Sequence, residues 1–411
     1  MSGWMVSSWR SCARLPATGW LILGVSVLVA LSSAFTVPVM SYFIVDGLQA
    51  PPYCISLFSI SSALCGVWYS QWLGHKTDQG WPIKRALLLA LAGMAGSTLL
   101  FALTDQLWVV MVAGVTLMAL GHAAMPQTLA LARRFADQQT MNSGQFNALV
   151  RANFSLAWIA GPPLAFMLVA QWGFPATFAA AAAVALLCCV LCWQGLPAVQ
   201  RTAPVRTEEG SAPIPPQFWA YSAALFCSSV SNSLYVSSMP LYVLKELALP
   251  ASTPGWAMAI AAGLEIPVML VASRMAERWG VKRLLMVGTG AGILFYGGLF
   301  QARSVGEVLL FQLGNGLFFG LFAGLGISLI QDLLPGRIGF ASAFYANTMR
   351  IGGMLGALLM GLIATWDSYR SVLLCAAGSL VIAGLALGAA AFYEARRCGE
   401  VRNDGERIRA D

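Results

Sequence analysis

Ionisable residues are scarce in this chain. Only 10% of its 411 residues are Asp, Glu, Lys or Arg, two are histidine, and from Ala152 to Gln200 there is no charge at all. Catalytic signatures are missing as well: there is no H-E-x-x-H, no G-x-S-x-G and no S-x-x-K. That leaves a membrane-embedded enzyme with little support. Cofactor-type clusters are lacking too. Cys188, Cys189 and Cys192 fall mid-helix with no histidine nearby, which favours small packing residues over a metal site. Cys54 alone lies near the outer face, so a disulfide there has no obvious partner.

What is abundant is apolar surface. The chain is 58% hydrophobic, with a mean hydropathy of +0.72. A soluble domain could not bury that much, so lipid is the solvent for most of it. Crossing the hydrocarbon takes about 20 apolar residues per helix. Charge-poor windows predict twelve spans: 17–45, 53–74, 84–103, 106–130, 146–170, 174–196, 218–243, 255–272, 284–302, 307–331, 342–365 and 369–393. The turn dividing the uncharged run is expected at Trp172-Gly173-Phe174-Pro175. A signal peptide over residues 1–34 is the weaker reading of the first span, because its apolar run continues to Val45.

Placing the N-terminus in the cytoplasm puts nineteen of the 24 Lys and Arg residues inside. Lys245, Arg303 and Arg370 then lie outside, with Arg151 and Arg350 in the membrane. The positive-inside rule therefore predicts both termini in the cytoplasm. The net charge of +7 reflects this asymmetry, and no basic patch points to a nucleic-acid partner.

The two halves repeat. GHKTDQGWPIKR from Gly74 and SRMAERWGVKR from Ser273 are offset by 199 (273 − 74), as are Asp78 and Glu277, Lys84 and Arg283, and Arg151 and Arg350. The expected organisation is a six-helix half over 1–196, a cytoplasmic linker over 197–217, a second six-helix half over 218–393 and a solvated cytoplasmic tail over 394–411. Such duplicated membrane proteins commonly hold a substrate path between their halves. A receptor or scaffold would not need membrane-embedded charges in duplicated positions.

The repeated loops resemble the motif G-x-x-x-D-R-x-G-x-R-R of the major facilitator superfamily. The first copy carries Gly74, Asp78, Lys84 and Arg85, but has Gln79 for the basic residue and Gly80 one position early. The second carries Glu277, Arg278, Gly280, Lys282 and Arg283, with Ser273 for Gly. These loops are expected to act in gating or topology rather than to touch substrate. AMPQTLALARRFAD (Ala124–Asp137), RANFSLAWIAGPPLAFML (Arg151–Leu168), FTVPVMSYFIVDGLQAPP and GLEIPVML (Gly263–Leu270) resemble the sugar efflux transporter family within that superfamily. The resemblance implies an all-α membrane protein of twelve helices, proton-linked export of sugars and glycosides from the bacterial cytoplasm, and an inner-membrane location. Gly161-Pro162 resembles an antiporter motif, and a bendable, tightly packed point there is mechanically plausible. No cofactor is expected beyond the proton gradient, and the expected state is a monomer whose partners are sugar, protons and lipid. A multidrug:proton antiporter of the same superfamily is the alternative, although the many amide side chains favour sugar.

Several side chains are candidates for the transport work. Arg151, Glu265 and Arg350 are ionisable groups at membrane depth, where each should face a cavity or a partner. Arg151 could instead snorkel to the interface. Glu265 is the expected proton carrier, with a static salt bridge to Arg350 as the alternative. His122 is a second candidate carrier, or else a hydrogen-bonded packing residue. Gln127, Asn147, Asn232, Asn315 and Asn347, with Gln312, could bond sugar hydroxyls, and Tyr235 and Trp158 could offer ring faces. Asn147 and Arg151 share a helical face, as do Asn347 and Arg350. Span seven, with SSVSNSLYVSS, is polar enough to line water, or to glue helices together.

Overall fold

A computed structural model describes residues 15–139, 143–196, 214–334 and 338–407, and among them there is no β-strand. The helices are α1 (Ala17–Tyr42), α2 (Tyr53–Asp78), α3 (Ile83–Leu103), α4 (Leu107–Ala113), α5 (Ala124–Gln138), α6 (Ser143–Gly195), α7 (Pro216–Leu241), α8 (Thr253–Trp279), α9 (Val281–Gln301), α10 (Val305–Asp332), α11 (Ile338–Trp366) and α12 (Tyr369–Arg407). Ten stretches are long and apolar enough to cross a membrane. One of these, α6, is two helices meeting at Gly173, whose φ of 79° suits the expected turn. Adding α7, which has the length but carries many serines, brings the spans to twelve.

One departure from the sequence expectation stands out. Span four is not one helix: α4 runs into a π-turn (Gly114–Met118) and one helical turn (Ala119–Gly121), and the helix lapses at His122–Ala123 before α5. The cause is Pro126, which has no N–H to give the His122 carbonyl four residues back. At the other end the apolar stretch of α12 runs from Tyr369 to Tyr393, and the helix itself continues to Arg407. Most of the linker expected over 197–217 lies outside the described residues.

The chain divides into two compact units, one of residues 1–50 and 58–205, the other of Pro51–Leu57 and 206–411. In the first, α6 is the hub: α1, α3 and α5 pack on it. Gly161 permits a close α1–α6 approach, since a Cβ there would stand 2.4 Å from the Cβ of Ala34. Asn153 reinforces the seam by donating to the Leu23 carbonyl and to Ser26 Oγ. In the second unit, α7 packs on α11 and α12, and α10 on α8 and α9. Ser56, at the start of α2, donates to the Leu358 carbonyl in that unit.

The repeat seen in the loops recurs in the backbone. π-Turns close α1 at Phe43–Gly47 and α7 at Tyr242–Glu246, again 199 residues apart (242 − 43). Gln49 and Ala248, separated by the same interval, are the non-glycine residues with positive φ among those described. The bonds match too: Leu48 N–H donates to the Phe43 carbonyl, and Leu247 N–H to that of Tyr242. None of these residues belongs to the loop motif, so the duplication extends through the helix ends.

Candidate functional site

In the second unit the candidates fall into two sets. The first is packed into protein. Tyr235, only 2% exposed, sits edge-on to Phe295 and donates its hydroxyl to Gln312 Oε1 at 2.9 Å. Gln312 also accepts from Asn315 Nδ2 and donates to the Val308 carbonyl. Tyr235 therefore offers no ring face in this structure; its ring and hydroxyl tie α7 to α9 and α10. Asn315 Oδ1 remains buried with no hydrogen-bond partner.

The serines of span seven depart from the expectation of a water-lined face. Ser229 and Ser233 donate to the Met349 and Gly353 carbonyls of α11, each at 2.6 Å. Ser231 donates to the Ala376 carbonyl of α12, and Ser228 to its own helix at Ala224. In an apolar medium a hydroxyl left alone is costly, so these residues are taken up in helix packing.

The second set stays open. Asn347 and Arg350 are exposed on α11. Asn232 is half-buried on α7. Glu265 lies on α8, half-buried, where α10 crosses. A Cβ on Gly320 would come within 3.2 Å of the Glu265 Cα, so the crossing exists because Gly320 has no side chain. Its signal in the sequence was the four-residue spacing of Gly316, Gly320 and Gly324. Glu265 makes no hydrogen bond and no ion pair among the described residues. The static Glu265–Arg350 bridge is therefore not formed in this structure.

In the first unit the side chains of Arg151, Asn147 and Asp78 lie outside the described residues. Gln127 is 4% exposed and its Oε1 is buried without a partner. Trp158 is half-buried. His122 stands at the break in span four, its Nε2 3.4 Å from Ser62 Oγ. Ser62 escaped the sequence reading; its only signal was the four-residue spacing to Gly66, which also faces His122. Pro162 and Pro163 follow Gly161 inside α6.

The loop motif separates into anchors and free ends. Lys84 donates to the Trp193 and Leu196 carbonyls at 2.7 and 2.6 Å, capping the C-terminal end of α6 as a cation favours. Lys282 lies 5.5 Å from the centre of the Tyr221 ring. Arg85, Glu277, Arg278 and Arg283 are exposed, and Gly74 has open space beside it. Gly80 (φ 106°) and Gly280 (φ 81°) both turn the chain. They fall one residue out of register because the α2–α3 turn is longer than the α8–α9 turn.

The family model of the Major Facilitator Superfamily matches residues 22–244 and 221–410. Sugar efflux transporter A of Dickeya chrysanthemi is 34% identical over 391 residues, covering 94% of this chain and 97% of that protein. Sugar efflux transporter A of Escherichia coli strain K12 is 35% identical, covering 84% and 89%. Among solved structures, the nucleoside transporter NupG (D323A mutant) superposes with a TM-score of 0.77 at 13% identity, over 91% of this chain and 99% of that one. A bacterial homologue of the lysosomal transporter Spinster gives 0.75 at 12%, over 92% and 97%. This chain belongs to the sugar efflux transporter family of the major facilitator superfamily, and is a membrane transporter rather than an enzyme.

Proposed function

We propose that this family member exports sugars or glycosides of the lactose or glucoside type across the bacterial inner membrane, exchanging them for protons by alternating access. The names of its relatives support the substrate class and the outward direction. The asymmetry of Lys and Arg supports cytoplasmic termini.

One observation carries the coupling. Glu265 is a carboxylate at membrane depth with no hydrogen bond or ion pair among the described residues. A bare charge there costs a few kcal/mol. An arriving proton, or a cationic or hydroxyl-bearing partner, relieves that cost. A group that exchanges one relief for another as access alternates links proton flow to cargo. Arg151 and Arg350, with Asn147, Asn232 and Asn347, are the donors and acceptors proposed for sugar hydroxyls.

The test uses purified protein in vesicles with the cytoplasmic face outward. Labelled lactose or a glucoside should accumulate when the interior is made acidic, and should not when the gradient is collapsed. Accumulation of cationic dyes in place of sugar would favour the multidrug reading instead.

A further inference from the structure

The helix crossing that holds Glu265 has a counterpart in the first unit, with the parts exchanged. Moving back 199 positions, Glu265 becomes Gly66 on α2 and Gly320 becomes Gly121, next to His122. A Cβ on Gly66 would stand 3.2 Å from His122 Cδ2 and 3.4 Å from its Cβ. Each unit therefore brings an ionisable residue close to a glycine at this crossing, through the Cα of Glu265 in the second unit and through the imidazole of His122 in the first, where Gly121 itself packs on Met94. In the second unit Glu265 comes from α8 and the glycine from α10; in the first the glycine comes from α2 and the imidazole from span four.

Two features make the imidazole more than packing. Ser62, buried and one turn from Gly66, places its Oγ 3.4 Å from Nε2, and His122 as a residue is exposed. The ring also stands at the C-terminal end of the helical stretch 107–121, where the backbone favours a cation. The segments that pack here carry few charges in sequence: there is no Asp, Glu, Lys or Arg between Asp46 and Lys76 on the α2 side, between Arg85 and Asp105 around α3, or between Asp105 and Arg133 on its own segment. Arg151 is the single charge that α6 contributes.

We propose that His122, oriented by Ser62, is a second protonation site, so that each unit carries one at matching crossings. A proton from water binds a ring nitrogen and later returns to water; no other bond changes. With the ring charged, Nε2–H donates to Ser62 Oγ. The inference rests on the proposed proton-coupled export but concerns a different unit of the protein.

Counterflow of labelled lactose, measured without a gradient between about pH 5 and 8, tests it, because an imidazole changes charge in that window. The Glu265→Gln protein should keep a pH-dependent rate, and adding His122→Gln should abolish that dependence. Ser62→Ala, a positioning change, should shift the profile along the pH axis without flattening it. A profile unaffected by His122→Gln overturns the proposal. Absence of lactose counterflow in the unaltered protein would instead overturn the sugar reading. Imidazole nitrogen NMR on the full-length His75→Gln variant, in which His122 is the remaining histidine, decides the site independently of transport. A ring that takes up a proton reversibly in this window supports it, and one that stays neutral throughout overturns it.

Discussion

Gly320 and Glu265 meet backbone to backbone: a Cβ on the glycine would lie 3.2 Å from the glutamate Cα and 2.9 Å from Val268 Cγ1. Val268 is β-branched and cannot swing aside cheaply. Gly320→Ala should therefore push α8 from α10, at a cost of about 1–3 kcal/mol as for other overpacked sites. Thermal unfolding in detergent should register this, and gradient-driven transport should fall because Glu265 moves. An unchanged melting temperature would place the two helices farther apart than described.

Glu265→Gln keeps the shape and removes the ability to carry a proton. We expect accumulation driven by the pH gradient to disappear while lactose counterflow persists. Wild-type accumulation in this variant would remove Glu265 from the coupling role.

Gly161 and Ala34 give a reciprocal test of the α1–α6 seam. Gly161→Ala brings two Cβ atoms to 2.4 Å, and should destabilise by about 1–3 kcal/mol. Ala34→Gly in the same protein removes the opposing carbon and should restore most of the loss. Additive rather than compensating effects in a double-mutant cycle would show that the two positions do not touch.

Lys84 is expected to matter for stability more than for the transport cycle. Lys84→Met deletes two hydrogen bonds to the end of α6, and should cost about 1–2 kcal/mol. Thermal stability measured beside the transport rate separates the roles: a normal melting temperature with a large loss of rate would point to gating instead.

Ser229→Ala and Ser233→Ala should each cost only about 0.6 kcal/mol, the average for hydrogen bonds between membrane helices. The α11 carbonyls they release keep their helical partners. Neither change should weaken lactose binding measured by calorimetry, whereas loss of binding would return span seven to the substrate path.

Much of the architecture was written in composition and spacing. Scarcity of charge and windows of about 20 apolar residues specify membrane helices, because lipid offers no other partner for backbone polar groups. The 199-residue offset specifies the duplication, and the π-turns after α1 and α7 repeat it in residues the motif does not include. Glycine at 173 and proline at 126 each break a helix by local chemistry alone.

Helical period, by contrast, could not say which neighbour each polar side chain meets. Asn315, Tyr235 and the serines of span seven look as suited to sugar as Asn347 does, since all are polar groups inside apolar helices. Tertiary packing divides them: Ser229 and Ser233 find α11 carbonyls, Tyr235 finds Gln312, and Asn347 and Arg350 remain exposed. That Glu265 and His122 are isolated ionisable groups in apolar segments is legible in the order of residues. That each comes close to a glycine at the corresponding crossing of its own unit, Glu265 through its Cα and His122 through its ring, follows from the fold. That pairing depends on the depth and angle at which two helices approach, and these are set by the packing of whole helix faces rather than by either residue.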